Sequence, residues 1–399
     1  MATTNRILII GAFDRYNYGD LLFPLIIEKQ LETYGRDFDA QFFGLVNSDL
    51  QAVGGKPTAD IGAFYRACAA GGGHTSIIVA GGEAIAVTWN SLLLALNSWF
   101  KRTHRFHHRI GKVFDLNNFS RWVLGGKTEL PFVFPKADFG RVDQLIYNSL
   151  GGSELDPVLF SRFPQLADQL RQVDFFAVRD RATQEKLAVY GIQTQLYPDS
   201  AILMSKFFPK TVLSARVSSS VRKYVAEKQG QYIFFQVKNS YAREKEQLIA
   251  RQLDRIATET DSALCFCPIG KALNHDDHLA LQRIAPYLET TPAVFDEVNI
   301  WDIMYLIANA KVYVGTSLHG AITAMSYAVP YVGVEVTKLN SYLGTWGIET
   351  LSRVVPLNEL YAGVQVAMQA DRQALDLSLK KQQGAAEAAF DSIQQRVLN

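Results

Sequence analysis

Val312-Tyr313-Val314-Gly315-Thr316-Ser317-Leu318-His319-Gly320, followed by Ala321-Ile322-Thr323-Ala324-Met325-Ser326-Tyr327, reads as an apolar strand that stops at glycine and a helix that opens at once. Thr316 stands where an N-cap is expected, so backbone N–H groups should point outward beside the imidazole of His319. Such a helix start is an anion-binding geometry with a titratable group on its first turn. It is a fitting place to transfer a phosphorylated or carboxylated group.

The same strand–loop–helix rhythm extends in both directions. Upstream, apolar runs are expected as strands at Arg6 to Gly11, Asp39 to Val46, Ser76 to Ala80, Gln144 to Leu150, Phe175 to Val178 and Gln195 to Tyr197. Asp20 is expected to cap a helix reaching Tyr34, with Pro24 in its first turn. In the second half, strands are expected near Tyr232–Val237, Leu264–Pro268, Ala293–Phe295, Val312–Gly315 and Tyr331–Val336. Alternating strand and helix in both halves predicts an α/β protein of two doubly wound, Rossmann-like domains facing a cleft. Residues 1–210 form the expected N-terminal domain on the acceptor side, with an insertion at about 88–140. Residues 230–350 form the expected C-terminal domain on the donor side, and 351–399 a helical tail. Ser205 to Gly230, rich in Ser, Lys and Val, reads as the connection.

The formal net charge of +1 on 399 residues leaves no global field to recruit nucleic acid. Cys265 and Cys267 lie two apart in a strand and read as small buried side chains, with no second pair to complete a metal site. His275-Asp276-Asp277-His278 is dense in possible ligands, yet Asn274 before it predicts a solvated helix start. No stretch of about 18 apolar residues predicts a membrane span, and the polar N-terminus has no signal-type leader, so the expected location is cytoplasmic. Trp89 to Lys112 combines a leucine- and tryptophan-rich run with Lys101, Arg102, His104, Arg105, His107, His108, Arg109 and Lys112. Its plain reading is a buried helix followed by a solvated loop. The alternative is a peripheral contact of 89–112 with the inner face of a membrane, or with a lipid-linked sugar.

Ligands in doubly wound sheets bind beyond the C-terminal strand ends. The residues found there are Asn17-Tyr18-Gly19-Asp20, Gly81-Gly82-Glu83, Gly151-Gly152, Arg179-Asp180-Arg181, Pro198-Asp199, Thr316 to Gly320 and Glu335-Val336-Thr337-Lys338. Glycine lets the backbone approach a ligand, and arginine offers a forked donor to carboxylate or phosphate. His319 and Asp20 are the catalytic candidates. An imidazole of ordinary pKa near ~6.5 serves acid or base steps. An aspartate at a helix start can also be a plain cap. Arg179, Thr316, Ser317, Gly320 and Lys338 are the donor-side candidates. Asn17, Tyr18, Gly82, Glu83 and Gly151 are the acceptor-side candidates. Arg181 is expected on the solvated face of its helix, Asp199 to brace its own loop, and Glu335 is a weaker acid–base alternative.

This ordered series resembles the polysaccharide pyruvyl transferase family. The resemblance runs from Asn17-Tyr18-Gly19-Asp20 through Val178-Arg179-Asp180 with Leu187 and Gly191, Pro198-Asp199, and Leu318-His319-Gly320 with Pro330, to Lys338 with Tyr342 and Gly347. It implies a GT-B-like fold and transfer of a pyruvyl group from phosphoenolpyruvate to a saccharide, as a ketal, with release of phosphate. It gives the histidine and nearby arginines the task of binding or activating the donor, and the chemistry so read requires no metal or organic cofactor. Many members carry arginine where this chain has Ser317, and a hydroxyl does not replace a charged fork. Arg179, Arg181, Lys338 or the helix start would then compensate. A glycosyltransferase using a nucleotide sugar and a non-catalytic saccharide-binding relative are the alternative readings.

Overall fold

The computed structural model describes residues 5–35, 38–70, 73–97, 99–100, 115–139, 141–270 and 276–398. In the first half, β1 (Arg6–Ile10), β2 (Asp39–Phe43), β3 (Thr75–Ala80), β4 (Gln144–Leu150), β5 (Phe175–Val178) and β6 (Gln195–Leu196) form a sheet ordered β2-β1-β3-β4-β5-β6. Every pairing in it is parallel. The reason lies in sequences such as RILII and TSIIVA. Along β1, Ile7 and Ile9 enter one core cluster while Leu8 and Ile10 enter another on the opposite face. A strand apolar on both faces must be covered on both, which parallel sheets flanked by helices achieve.

The second sheet contains β7 (Tyr232–Gln236), β8 (Ala263–Phe266), β9 (Ala293–Val294), β10 (Val312–Gly315) and β11 (Tyr331–Gly333), ordered β11-β10-β7-β8-β9 and parallel throughout. Strand order reverses beside β1 and β3 in the first sheet, and beside β7 and β10 in the second. Each reversal opens a crevice at the carboxyl ends of its strands. The loops after these four strands supply most of the site.

Helices that matter for the site are α1 (Tyr18–Glu32), α2 (Ile61–Ala69), α3 (Trp89–Leu96), α4 (Leu116–Val123), α5 (Arg181–Ala188), α6 (Asp277–Ile284), α7 (Leu318–Ser326), α8 (Thr337–Trp346) and α9 (Arg372–Leu398). The two halves share one continuous apolar cluster rather than meeting only across water. It runs from Ile7 and Ile9 through Leu22 and Ile26 of α1 and Ala201–Met204 to Ile322 and Val314. The tail seals the union. Helix α9 returns to the first half, where Asn5 donates to the Val397 carbonyl at 2.6 Å and the Tyr34 hydroxyl to the Phe390 carbonyl at 2.9 Å.

Several sequence expectations shift in detail. Ser205 to Gly230 is largely helical, with helices at Met204–Phe207, Lys210–Ser214 and Ser219–Lys228. Helix α2 occupies a stretch whose polar flanks suggest only loop; the Asp60 carboxylate caps it by accepting from the Ala63 amide at 2.7 Å. Pro24 lies inside α1 rather than in its first turn. Burial of the surrounding leucine and isoleucine side chains offsets the lost hydrogen bond there. Of the Trp89 to Lys112 stretch, Trp89–Leu96 is helical, while the cationic part from Lys101 to Lys112 lies outside the described residues, as do Asn274 and His275. No helix among the described residues is long and apolar enough to cross a membrane.

Candidate active site

One cleft of about 380 Å³ lies where the two sets of loops face each other. From the first half it is lined by Arg15, Asn17, Asp20, Gly82, Glu83 and Arg179, and from the second by Gln236, Lys238, Asp277, Thr316, Ser317, His319 and Lys338. Helix α3 adds an apolar wall with Leu92 and Ala95. An isolated backbone bridge between Asn17 and Gly270 joins the halves at its rim.

Its centre is a chain of charges. Arg179 is only 1% exposed, so its guanidinium must be neutralised by partners. Nη2 donates to Glu83 Oε1, and Nη1 donates to Asp199 Oδ2 at 3.1 Å. That same Asp199 oxygen lies 3.5 Å from Nε2 of His319, too long for a formed hydrogen bond but close enough to pair with the ring whenever it carries a proton. Glu83 is held on its other oxygen by the amide and hydroxyl of Ser153, at 2.7 and 2.9 Å. Burial alone would raise both carboxyls. The partners win: Arg179, Lys338 and the bonds from Ser153 hold Glu83 below the usual glutamate range, and the neighbouring His319 ring, Arg179 and the Ala201 amide do the same for Asp199.

The imidazole is positioned by absent side chains. A Cβ on Gly19 would lie 1.9 Å from Nδ1 of His319, so α1 can pass the ring only with glycine there. Phe23 closes the remaining side edge-on, with ring centroids 5.5 Å apart. Asp20 lies in the first turn of α1 and accepts from the Asn17 side chain at 2.8 Å. It is not the N-cap; Asn17 holds that place. Burial raises the Asp20 carboxyl above its ordinary value, opposed by His319, Arg15, Asn17 and Lys338.

The start of α7 departs from the sequence expectation. Ser317, not Thr316, is the N-cap, and its hydroxyl accepts from the Gly320 amide at 3.2 Å. Gln236 Oε1 accepts from the amides of Thr316 and Ser317 at 3.2 and 3.0 Å. The Thr316 hydroxyl is also engaged, accepting from the Lys238 amide at 2.8 Å. The helix start is therefore largely filled from within. The amides of Leu318 and His319 alone in this turn have no acceptor among the described residues.

Other expected residues fall elsewhere. Tyr18 is fully buried, its hydroxyl paired with Thr323 at 2.8 Å, and serves the core rather than an acceptor. Gly320 is required because a Cβ would sit 2.3 Å from the Tyr313 hydroxyl, so it does not face a ligand. Gly151 backs the Arg179–Glu83 pair, where a Cβ would come within 2.6 Å of both. Arg181 and Glu335 are exposed and outside the cleft lining. Lys338 lines the cleft, and among the described residues no carboxylate forms an ion pair with it. Burial lowers its pKa, Glu83 opposes this, and the neighbouring Arg179 and Lys238 cations lower it further.

Three cleft residues carry no obvious signal in the chain. Gln236 ends the otherwise apolar strand YIFFQ, and that polar terminus is the one clue to it. Lys238 follows two residues later. Asp277, read from the sequence as part of a solvated helix start, is only 2% exposed.

Comparison with known proteins adds family and fold. The model of a family described as polysaccharide pyruvyl transferase matches residues 17–337. No curated protein matches. Among solved structures, the chain is similar to the UDP-N-acetylglucosamine 2-epimerase of Rickettsia bellii, with a TM-score of 0.57 at 11% identity over 99% of this chain and 96% of that one. A putative UDP-N-acetylglucosamine 2-epimerase of Listeria monocytogenes gives 0.55 at 13% identity, covering 98% and 96%. The α,α-trehalose 6-phosphate synthase of Burkholderia multivorans gives 0.54 at 12%, covering 99% and 96%. At such identities the likeness shows the fold alone, and that fold is GT-B.

Proposed function

The chain belongs to the polysaccharide pyruvyl transferase family, and from that premise we propose that this transferase moves the pyruvyl group of phosphoenolpyruvate onto two hydroxyls of a saccharide. The product is a cyclic ketal, with phosphate as the leaving group. The observation that carries the reading is the Asp199–His319 pair in the wall of a cleft that also holds Asp20 and the unpaired Lys338.

The chemistry needs a proton on the methylene carbon, charge neutralisation at the phosphate, and removal of a proton from each hydroxyl. Asp20, raised by burial, supplies the proton to the methylene carbon and recovers one from the first hydroxyl. That hydroxyl oxygen bonds to the cationic carbon. The carbon–oxygen bond to phosphate then breaks with its electron pair on the phosphate. The second hydroxyl closes the ketal and gives its proton to His319, whose imidazolium Asp199 stabilises. Lys338 is the cation we assign to the phosphate, with Lys238 beside it. An arriving anion relieves the repulsion that these cations exert on one another. In this reading Lys338 takes the task that the family arginine would perform at Ser317. Arg179, already neutralised by two carboxylates, acts by holding Asp199 and Glu83 in place.

The saccharide is assigned to the side formed by Asn17, Asp20, Gly82, Glu83 and α3. A nucleotide-sugar glycosyltransferase would place its diphosphate at the start of α7, where the Gln236 side chain already occupies two amides. The test is product identity. The protein is incubated with a glycan panel and either phosphoenolpyruvate or nucleotide sugars. Acceptor-dependent inorganic phosphate supports the reading. Nucleoside diphosphate, or glycan binding without either product, refutes it.

A further inference from the structure

Asp277 opens α6 on the second-half wall of the cleft, which Asp20 in the first turn of α1 also lines. Its carboxylate is 2% exposed and has no cation bonded to it. All its hydrogen bonds converge on one oxygen: Oδ2 accepts from Gln236 Nε2 at 2.8 Å, the Gly270 amide at 2.9 Å and the Ile269 amide at 3.2 Å. Oδ1 has no partner among the described residues. The Gln236 amide is fixed in one orientation, since its NH2 must face the carboxylate and its oxygen the amides of Thr316 and Ser317. Asp277 is thereby coupled to the turn that carries His319.

We propose that Asp277 is a second proton-carrying group of the cleft: Oδ1 binds a proton as the anionic donor is seated, and passes it to the departing phosphate. This rests on the donor reading above. The proton enters from solvent when the donor binds. When the carbon–oxygen bond breaks, the electron pair remains on the phosphate oxygen. Asp277 gives its proton to that oxygen, leaving hydrogen phosphate and a carboxylate. The proton collected by His319 returns to solvent, so the turnover balances.

Two physical facts support this. Burial pushes the Asp277 carboxyl up to about 7, against the lowering effects of Gly270, Gln236, Ile269 and the Lys238 charge. Among the described residues, the other titratable groups around it are the Tyr313 phenol, and Asp276 and His278 in the same stretch of chain. A further negative charge placed in the cleft disfavours the carboxylate again, so an acid poised near neutrality is the group that takes up a proton on anion binding.

The experiment is calorimetric titration of the full chain with phosphoenolpyruvate, and separately with inorganic phosphate, in buffers of different ionisation enthalpy just above neutral pH. Wild type is expected to take up a fraction of a proton approaching one per anion bound, falling to none about two pH units lower, where Asp277 is already protonated. Asp277→Asn preserves an oxygen acceptor for Gln236 and the two amides. It should bind the anion with no uptake, while Asp277→Glu restores uptake. If phosphoenolpyruvate fails to bind but phosphate binds with Asp277-dependent uptake, the donor reading falls and with it the proton transfer to a leaving phosphate, while protonation of Asp277 on anion binding stands. Binding of either anion without uptake, uptake unchanged in Asp277→Asn, or no binding of either anion overturns it. Should the variant not fold, loss of wild-type uptake at the lower pH supports the proposal, and persistence there refutes it.

Discussion

Asp199 Oδ2 is shared by His319 Nε2, at 3.5 Å, and Arg179 Nη1, at 3.1 Å. One carboxylate oxygen from the first half thus faces an imidazole from the second half while it neutralises a buried guanidinium. If His319 exchanges protons with substrate, Asp199→Asn should lower kcat by roughly 10²–10⁴-fold. The change keeps the side chain's shape, so the circular dichroism spectrum should be unchanged. Full activity in a folded Asp199→Asn protein would contradict the pairing.

Removing the guanidinium should act on stability first. Arg179→Met leaves Glu83 and Asp199 buried without their cation, which costs about 3–5 kcal/mol in comparable buried pairs. Both carboxyls are depressed in the folded state, so they contribute stability above the ordinary carboxylate range and lose it as pH falls through their folded values. The deficit of Arg179→Met should therefore be largest near neutral pH and shrink in acid, as read by urea denaturation at several pH values.

Asp277 has the opposite sign. Its folded pKa is raised to about 7, so the native state holds a proton that the unfolded chain gives up near ~4. Wild-type stability should fall as pH rises through that window. Asp277→Asn, with no charge to bury, should be more stable than wild type at pH values above the window, on the order of 2–4 kcal/mol, with little difference in acid. Thermal melts across the range check this.

Gly19→Ala should reproduce much of the effect of removing the imidazole, because the new methyl claims space at 1.9 Å from His319 Nδ1. The two changes share one cause, so a Gly19→Ala/His319→Ala protein should be hardly slower than His319→Ala alone. Additive losses would show that Gly19 matters for another reason.

Lys338→Met removes one unpaired ammonium from the cleft. A charge-assisted hydrogen bond to phosphate is worth about 1.5–3 kcal/mol, so kcat/KM for the donor should drop roughly 10–100-fold. Acceptor KM should be unaffected, which initial-rate kinetics with each substrate varied in turn would reveal.

Much of this architecture was readable from the chain. Strands such as RILII and VYVG are largely apolar runs with glycine at or just beyond their ends, and each leads into a helix, after a short loop for the first and almost at once for the second. Less visible were features that depend on distant partners. Nothing in Arg179-Asp180-Arg181 says that the first arginine is buried between two carboxylates and the last exposed. Thr316 looks as good a cap as Ser317; the decision falls to Gln236, paired in register with Gly315 and able to claim the Thr316 amide. Tyr18 in an irregular-looking loop suggested a ligand contact, yet Thr323, from the other half, gives its hydroxyl a buried partner. Asp277 sits among polar neighbours, and only the folding of Ile269 and Gly270 over it removes it from water.

The most direct test uses phosphoenolpyruvate labelled with heavy oxygen at the bridge between carbon and phosphorus, with mass analysis of phosphate and glycan. Heavy phosphate should form together with a carboxyethylidene-bearing glycan, only when acceptor is present. Both products should vanish in folded His319→Ala. Unlabelled phosphate, release without acceptor, or undiminished turnover in His319→Ala would contradict transfer at the Asp199–His319 pair.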